Sequence, residues 1–100
     1  MSRLIESALS TQPESIACFS VHAVASPGIM PRVLELFAKR GLVPSSWTSR
    51  VSPEQDLTID IQMCGMEGEL TAYVAACLRQ IVGVEVVLVS QKQQKAAMQR

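Results

Sequence analysis

Apolar and polar positions alternate along this chain with two different periods, and the switches between them outline the elements. In "IACFSVHAVA", Ile16 to Ala25, strand formers dominate and a Ser-Pro-Gly break follows, which predicts a buried first strand. Phe19, Val21 and Ala23 then share one face, and Cys18, Ser20 and His22 the other. From Ile29 the period lengthens: Met30, Val33, Leu34 and Phe37 stand at the i, i+3, i+4, i+7 spacing of one helical stripe, with Arg32, Glu35, Lys39 and Arg40 on the wet side. Pro31 is tolerable because it falls in the first turn, where backbone N–H groups lack intrahelical partners. Gly41 follows Lys39 and Arg40 at the place of a left-handed C-cap.

"LVPSSWTSRVS" reads as a second strand that Pro44 confines to a sheet edge, because proline donates nothing to a ladder. "PEQD" makes a turn. In "LTIDIQMC" the residues Leu57, Ile59, Ile61 and Met63 alternate with Thr58, Asp60 and Gln62, the mark of a half-buried strand. After the "GMEGE" loop, Leu70, Tyr73, Val74, Cys77, Leu78 and Ile81 predict a helix with one apolar face, which Gly83 ends. "VEVVLVS" supplies a last strand. Residues 1–15 and 92–100 are polar and read as tails around a domain spanning 16–91.

The order strand, helix, strand, strand, helix, strand fits a ferredoxin-like βαββαβ architecture of the α+β class. Two right-handed crossovers then place both helices on one face of a four-stranded antiparallel sheet. The opposite face, with Cys18, Ser20, His22 and Val24, is too apolar to stay wholly wet and invites dimerisation or a partner.

Composition narrows the uses of such a domain. Nine basic residues balance nine acidic ones and aromatics make up only 4%, so neither a cationic field nor stacking platforms point to nucleic acid. The start, "MSRLIESALSTQ", lacks the apolar core of a secretory signal, and no run approaches the length of a membrane span; the expectation is a cytoplasmic chain without membrane contact. Cys18, Cys64 and Cys77 are odd in number and widely spaced, so they read as buried reduced thiols rather than a disulfide framework or metal site.

Each chemistry that this architecture can carry requires particular residues. A soft-metal carrier needs two thiolates in the loop after the first strand, and here that loop is Ser26-Pro27-Gly28. An acylphosphatase-type site needs an asparagine to place water, and the chain has none. The single histidine, His22, sits mid-strand, and no carboxylate pair or Ser–His arrangement is readable, so no catalytic residue, metal ligand or cofactor is expected. What remains is the start of the first helix. Gly28 permits a sharp turn or close approach, and the helix N-terminus could receive a small carboxylate.

"FSVHAVASPGIMPRVLELFAKRGLVPSSWT" resembles the first half of an ACT domain, most closely that of the small regulatory subunits of acetolactate synthase. The resemblance rests on Gly28 in the loop, Arg32-Val33 one turn on, Leu36-Phe37, and Arg40-Gly41 before the second strand. "CLRQIVGVEVVLV" is similar to the passage that closes the same domain, so the resemblance covers residues 16–91.

That resemblance implies a non-catalytic module that forms a homodimer side by side, binds an amino-acid effector at the interface, and modulates a catalytic enzyme subunit of branched-chain amino acid biosynthesis. The implied ligand-binding positions are Ala25, Ser26, Gly28, Ile29 and Val43. Valine-responsive members carry asparagine or aspartate at the position of Ala25 and tend to carry asparagine at that of Val43. With both polar contacts missing, only backbone around Ser26, Gly28 and Ile29 is left for an effector, and a buried ammonium without partners costs on the order of several kcal/mol. The chain is similar in this to short, ACT-only small subunits that resist valine. The expectation is therefore lost feedback with partner activation retained; the alternative is a free-standing homodimeric sensor of an apolar amino acid, with Trp47 either lining its pocket or packing within the domain.

Overall fold

The computed structural model describes residues 14–94, in which the elements follow the expected order. They are β1 (Glu14–Val24), α1 (Ile29–Lys39), β2 (Ser46–Val51), β3 (Asp56–Cys64), α2 (Gly68–Arg79) and β4 (Val84–Gln94). The strands form one sheet in the order β2-β3-β1-β4, with each neighbouring pair antiparallel. This is the four-stranded βαββαβ arrangement expected from the chain. No helix among the described residues is long and apolar enough to cross a membrane.

The core lies between the sheet and the two helices. Phe19, Val21 and Ala23 of β1 and Leu57, Ile59, Ile61 and Met63 of β3 are buried, as the alternation requires. The Phe19 and Phe37 rings meet edge to face, with centroids 5.9 Å apart, the geometry their quadrupoles favour. Trp47, opposite Ile61 in the β2–β3 register, packs half-buried against this core and so serves the domain interior.

Both helices are rotated from the stripes read in the sequence. On α1 the buried residues are Ile29, Val33 and Phe37, while Leu34 is 48% exposed. Ile29, expected among the ligand positions rather than on the apolar stripe, enters the core and turns the buried face away from Leu34. On α2 the buried residues are Thr71, Val74, Ala75 and Leu78, whereas Tyr73 is 53% exposed and Cys77 only partly covered. The small Thr71 and Ala75 let the helix lie close to the sheet, a reason for burial that hydrophobicity alone does not announce. Thr71 satisfies its hydroxyl by donating to the Glu67 carbonyl at 2.8 Å.

Exposed Tyr73 still has a structural use. The Arg40 guanidinium donates to the Tyr73 hydroxyl at 3.0 Å and to the Leu36 carbonyl at 3.0 Å, and lies 5.0 Å from the Tyr73 ring centre. It ties the end of α1 to the middle of α2. The Tyr73 hydroxyl, accepting that hydrogen bond, holds the guanidinium above its ordinary pKa.

Several boundaries differ from the sequence reading. Pairing carries β1 back to Glu14 and β4 on to Gln94, beyond the strand ends expected at Ile16 and Ser90. Backbone pairing of Ser15 with Gln93 and Ile16 with Lys92 does not need apolar side chains at a sheet margin, so polar residues there conceal the strand ends. The remainder of both expected tails, residues 1–13 and 95–100, lies outside the described residues. Pro44 precedes β2, which begins at Ser46 and is an edge strand as expected. Helix α2 closes at Arg79 with Gln80 as C-cap, so Gly83 does not end it but forms the turn into β4. The cysteines are free, but Cys64 is exposed and Cys18 and Cys77 are only partly covered, which corrects the expectation of buried thiols.

Candidate functional site

The loop between β1 and α1 forms one wall of a cleft of about 300 Å³, lined by Ala25, Ser26, Pro27, Met30, Val51, Gln55 and Leu57. Two strand ends and a helix start converge there. The Ala25 N–H donates to the Gln55 carbonyl at 3.1 Å, which fastens the loop to the β2–β3 turn, and the Val24 N–H donates to the Gly83 carbonyl at 3.0 Å. The loop is thus held by the β2–β3 turn on one side and by the entry to β4 on the other.

Of the expected ligand positions, the cleft brings together Ala25 and Ser26. Gly28 is the N-cap of α1 with φ −84° and ψ −8°, so the chain does turn at Ser26–Ile29 but in a conformation open to any residue, which needs no glycine. What glycine leaves there is space: a Cβ at Gly28 would stand 3.4 Å from the Arg32 guanidinium, which folds back over the helix start. The Ile29 side chain is buried in the core rather than facing a ligand, and its N–H is already used by the Ser26 carbonyl at 3.2 Å. Val43 is 82% exposed beyond the C-terminal end of α1, about 16 Å along the helix from the loop.

Five lining residues, Pro27, Met30, Val51, Gln55 and Leu57, were not among the expected ligand positions, and two of them come from the β2–β3 hairpin end. Val51, at the end of β2, and Gln55, in what was read simply as a turn, form the wall opposite Ala25. Gln55 has φ +68°, a left-handed conformation that non-glycine residues seldom adopt. The turn holds it there: the Gln55 N–H donates to the Ser52 carbonyl at 3.0 Å and the Asp56 N–H to Ser52 Oγ at 3.2 Å. A Ser-Pro start to "SPEQD" was the available signal for a side-chain-supported turn.

The chemical character of the cleft is mild. Its walls are apolar at Ala25, Met30, Val51 and Leu57, with the Ser26 hydroxyl and the Gln55 amide as polar groups, and none of its lining residues is charged. Such a lining suits a small apolar side chain with a polar end, and it offers an ammonium group no counter-ion. Arg32, over Gly28, is the cation placed to meet a carboxylate at the helix start.

Elsewhere, a larger groove of about 410 Å³ runs between α2 and β4. Its polar groups face inward: Arg79 donates to the Val87 carbonyl at 2.8 Å, and the Gln91 amide donates to the Met66 carbonyl and to Thr71 Oγ1. On the helix-free face, Ser20 Oγ and His22 Nε2 stand 3.1 Å apart, a Ser–His contact not read in the sequence. Their i, i+2 spacing on one strand puts them side by side, but the neighbouring β1 backbone groups are engaged in its two ladders, leaving no oxyanion donors beside them.

Comparison with known proteins agrees with this geometry. The chain aligns with solved structures that share its fold at low identity. The ACT domain of GTP pyrophosphokinase from Chlorobium tepidum superposes with a TM-score of 0.67 at 12% identity, covering 77% of this chain and 99% of that one. An uncharacterized protein of Thermotoga maritima gives 0.60 at 14% identity over 80% of this chain and 96% of that one. The C-terminal domain of MgtC from Mycobacterium tuberculosis gives 0.58 at 11% identity over 90% and 96%. No curated protein sequence matches significantly. Residues 10–96 match the ACT-like domain family, and with the sheet order and the two helices in agreement the chain belongs to that family.

Proposed function

We propose that this chain is a non-catalytic regulatory module that docks on a catalytic subunit, of acetolactate synthase type, and modulates it. The observation that carries this reading is the β1–α1 cleft, a formed hollow at the position of an effector site but without a charged lining residue. An amino acid bound there has a place for an apolar side chain and none for its ammonium group, which favours partner activation over feedback by valine. The resemblance of residues 16–91 to the small subunits of that enzyme supplies the partner class, and the ACT-like family supplies the regulatory role. The Ser20–His22 contact lacks the further groups a hydrolase would need, which supports the non-catalytic reading.

The test is reconstitution. Added to a purified thiamine-diphosphate-dependent acetolactate synthase catalytic subunit from the same source, the chain should co-elute with it and raise its rate. Failure to do either sinks this reading. A second reading, a free-standing homodimeric sensor, is favoured by the apolar walls of the cleft together with Arg32 at the helix start. It requires the melting temperature to rise with valine, leucine or isoleucine and the rise to vanish in Arg32→Met. A melting curve indifferent to all twenty amino acids counts against it.

A further inference from the structure

The face of the sheet turned away from α1 and α2 carries an unassigned pattern. Register places its side chains in rows across the strands: Thr48, Asp60, Ser20 and Leu88 in one, and Arg50, Thr58, His22 and Val86 in the next. In these two rows the β4 positions, Val86 and Leu88, are apolar and the β2 positions, Thr48 and Arg50, are polar; Ser90 and Lys92 continue the face along β4. Leu88 is 58% exposed, and Val86 and Val24 are exposed near it. Beside Leu88 the small side chains of Cys18 and Ser20 floor a hollow of about 260 Å³.

We propose that a second copy of this chain covers this face, packed sheet on sheet about a two-fold axis that crosses the strands between these two rows. The pattern itself selects that axis. An axis along the strands would lay the apolar half over the polar half, and an axis on the Ser20 row would set each Asp60 carboxylate over its like. Between the rows, Leu88 of one copy meets Val86 of the other, and Arg50 of one copy reaches Asp60 of the other one strand over. Each contact occurs twice by symmetry. Arg50 and Asp60 sit on diagonal positions within one chain, where they form no ion pair among the described residues, so the second copy gives both a partner.

The area is modest. Seven residues on each of β1, β3 and β4 and five on β2 lie symmetrically about this axis; at about 3.3 Å per residue and about 4.8 Å between strands they present roughly 400 Å² per copy in projection, and more over the side chains, at the weak end of interface sizes. Stacked sheets lie about 10 Å apart, a gap that two facing aliphatic side chains fill. This arrangement is independent of any ligand and differs from edge-to-edge pairing, which would leave Leu88 in solvent.

The experiment measures the mass of the full chain in solution by light scattering or sedimentation. At about 1 mM, chosen because an interface of this size can be weak, the native chain should approach twice its monomer mass. Leu88→Asp should weaken self-association about tenfold or more, as expected of an anchor near the axis. Arg50→Asp should weaken it too, and Arg50→Asp with Asp60→Arg should restore it, because the reversed charges still pair across the two-fold. Circular dichroism melts check that each variant folds, which exposed positions allow. A monomeric native chain, a dimer untouched by Leu88→Asp, or a reversed pair no better than Arg50→Asp alone would each overturn the proposal.

Discussion

Replacing Gly83 by alanine tests how the β1–α1 loop is supported. Gly83 has φ +100°, and a Cβ there would lie 2.8 Å from Cδ1 of Ile29 and 3.3 Å from Cγ2 of Val24. Gly41 is the natural control, since its φ is +69° but nothing lies within 4 Å of its Cβ direction. Alanine at Gly41 therefore costs only the left-handed backbone, about 1 kcal/mol. Alanine at Gly83 adds the displacement of a core side chain, and overpacking of that kind costs about 1–3 kcal/mol, for a total of about 2–4 kcal/mol. Ile29→Val removes the clashing Cδ1 and leaves Cγ1, 3.8 Å away, in ordinary contact. Alone it should cost about 0.5–1.5 kcal/mol. In the Gly83→Ala background it should cost less or stabilise, giving a coupling of about 1 kcal/mol or more. Urea unfolding of the native chain and these variants reads all of these quantities. Equal costs for the two glycine variants, or strict additivity of Gly83→Ala with Ile29→Val, would refute the account of how Ile29 is held beneath the loop.

Phe37→Ala should destabilise by about 3–5 kcal/mol, because the buried ring loses its edge-to-face contact with Phe19 and leaves a cavity; a small change in the denaturation midpoint would contradict its burial. Gln55→Gly should raise stability by about 0.5–1 kcal/mol by relieving φ +68°, and a loss would show that the Gln55 side chain holds the turn. Thr71→Val should cost about 0.5–1.5 kcal/mol as the hydroxyl gives up the Glu67 carbonyl and the Gln91 amide, readable as a lower thermal midpoint at unchanged helicity.

Much of the architecture was legible because two periods are hard to confuse. Leu57 to Met63 alternate without exception, and all four apolar members are buried. Gly41 was readable as a left-handed cap from the basic residues before it, and it has φ +69°. The helix faces were less legible. Thr71 and Ala75 are buried for their small size, while Leu34 and Tyr73 are outside despite theirs, and only the neighbouring sheet decides such cases. The candidate site was half legible. Ala25 and Ser26 do line a cleft, but Gln55 and Val51 join them from 25 or more residues away, and local pattern carries no information on which turns will meet.

By itself, then, the sequence determined the number, kind and order of the elements, and through them the ACT-like fold, because periodicity and turn chemistry act between residues close along the chain. Tertiary structure alone decided which face each helix buries, that the Ile29 side chain enters the core, that Val43 stands a helix length from the loop, and that the face turned away from α1 and α2 carries Leu88, Val86, Arg50 and Asp60 in adjoining rows. Those outcomes depend on register and packing between distant segments, where steric fit sets the arrangement and hydrophobicity along the chain does not.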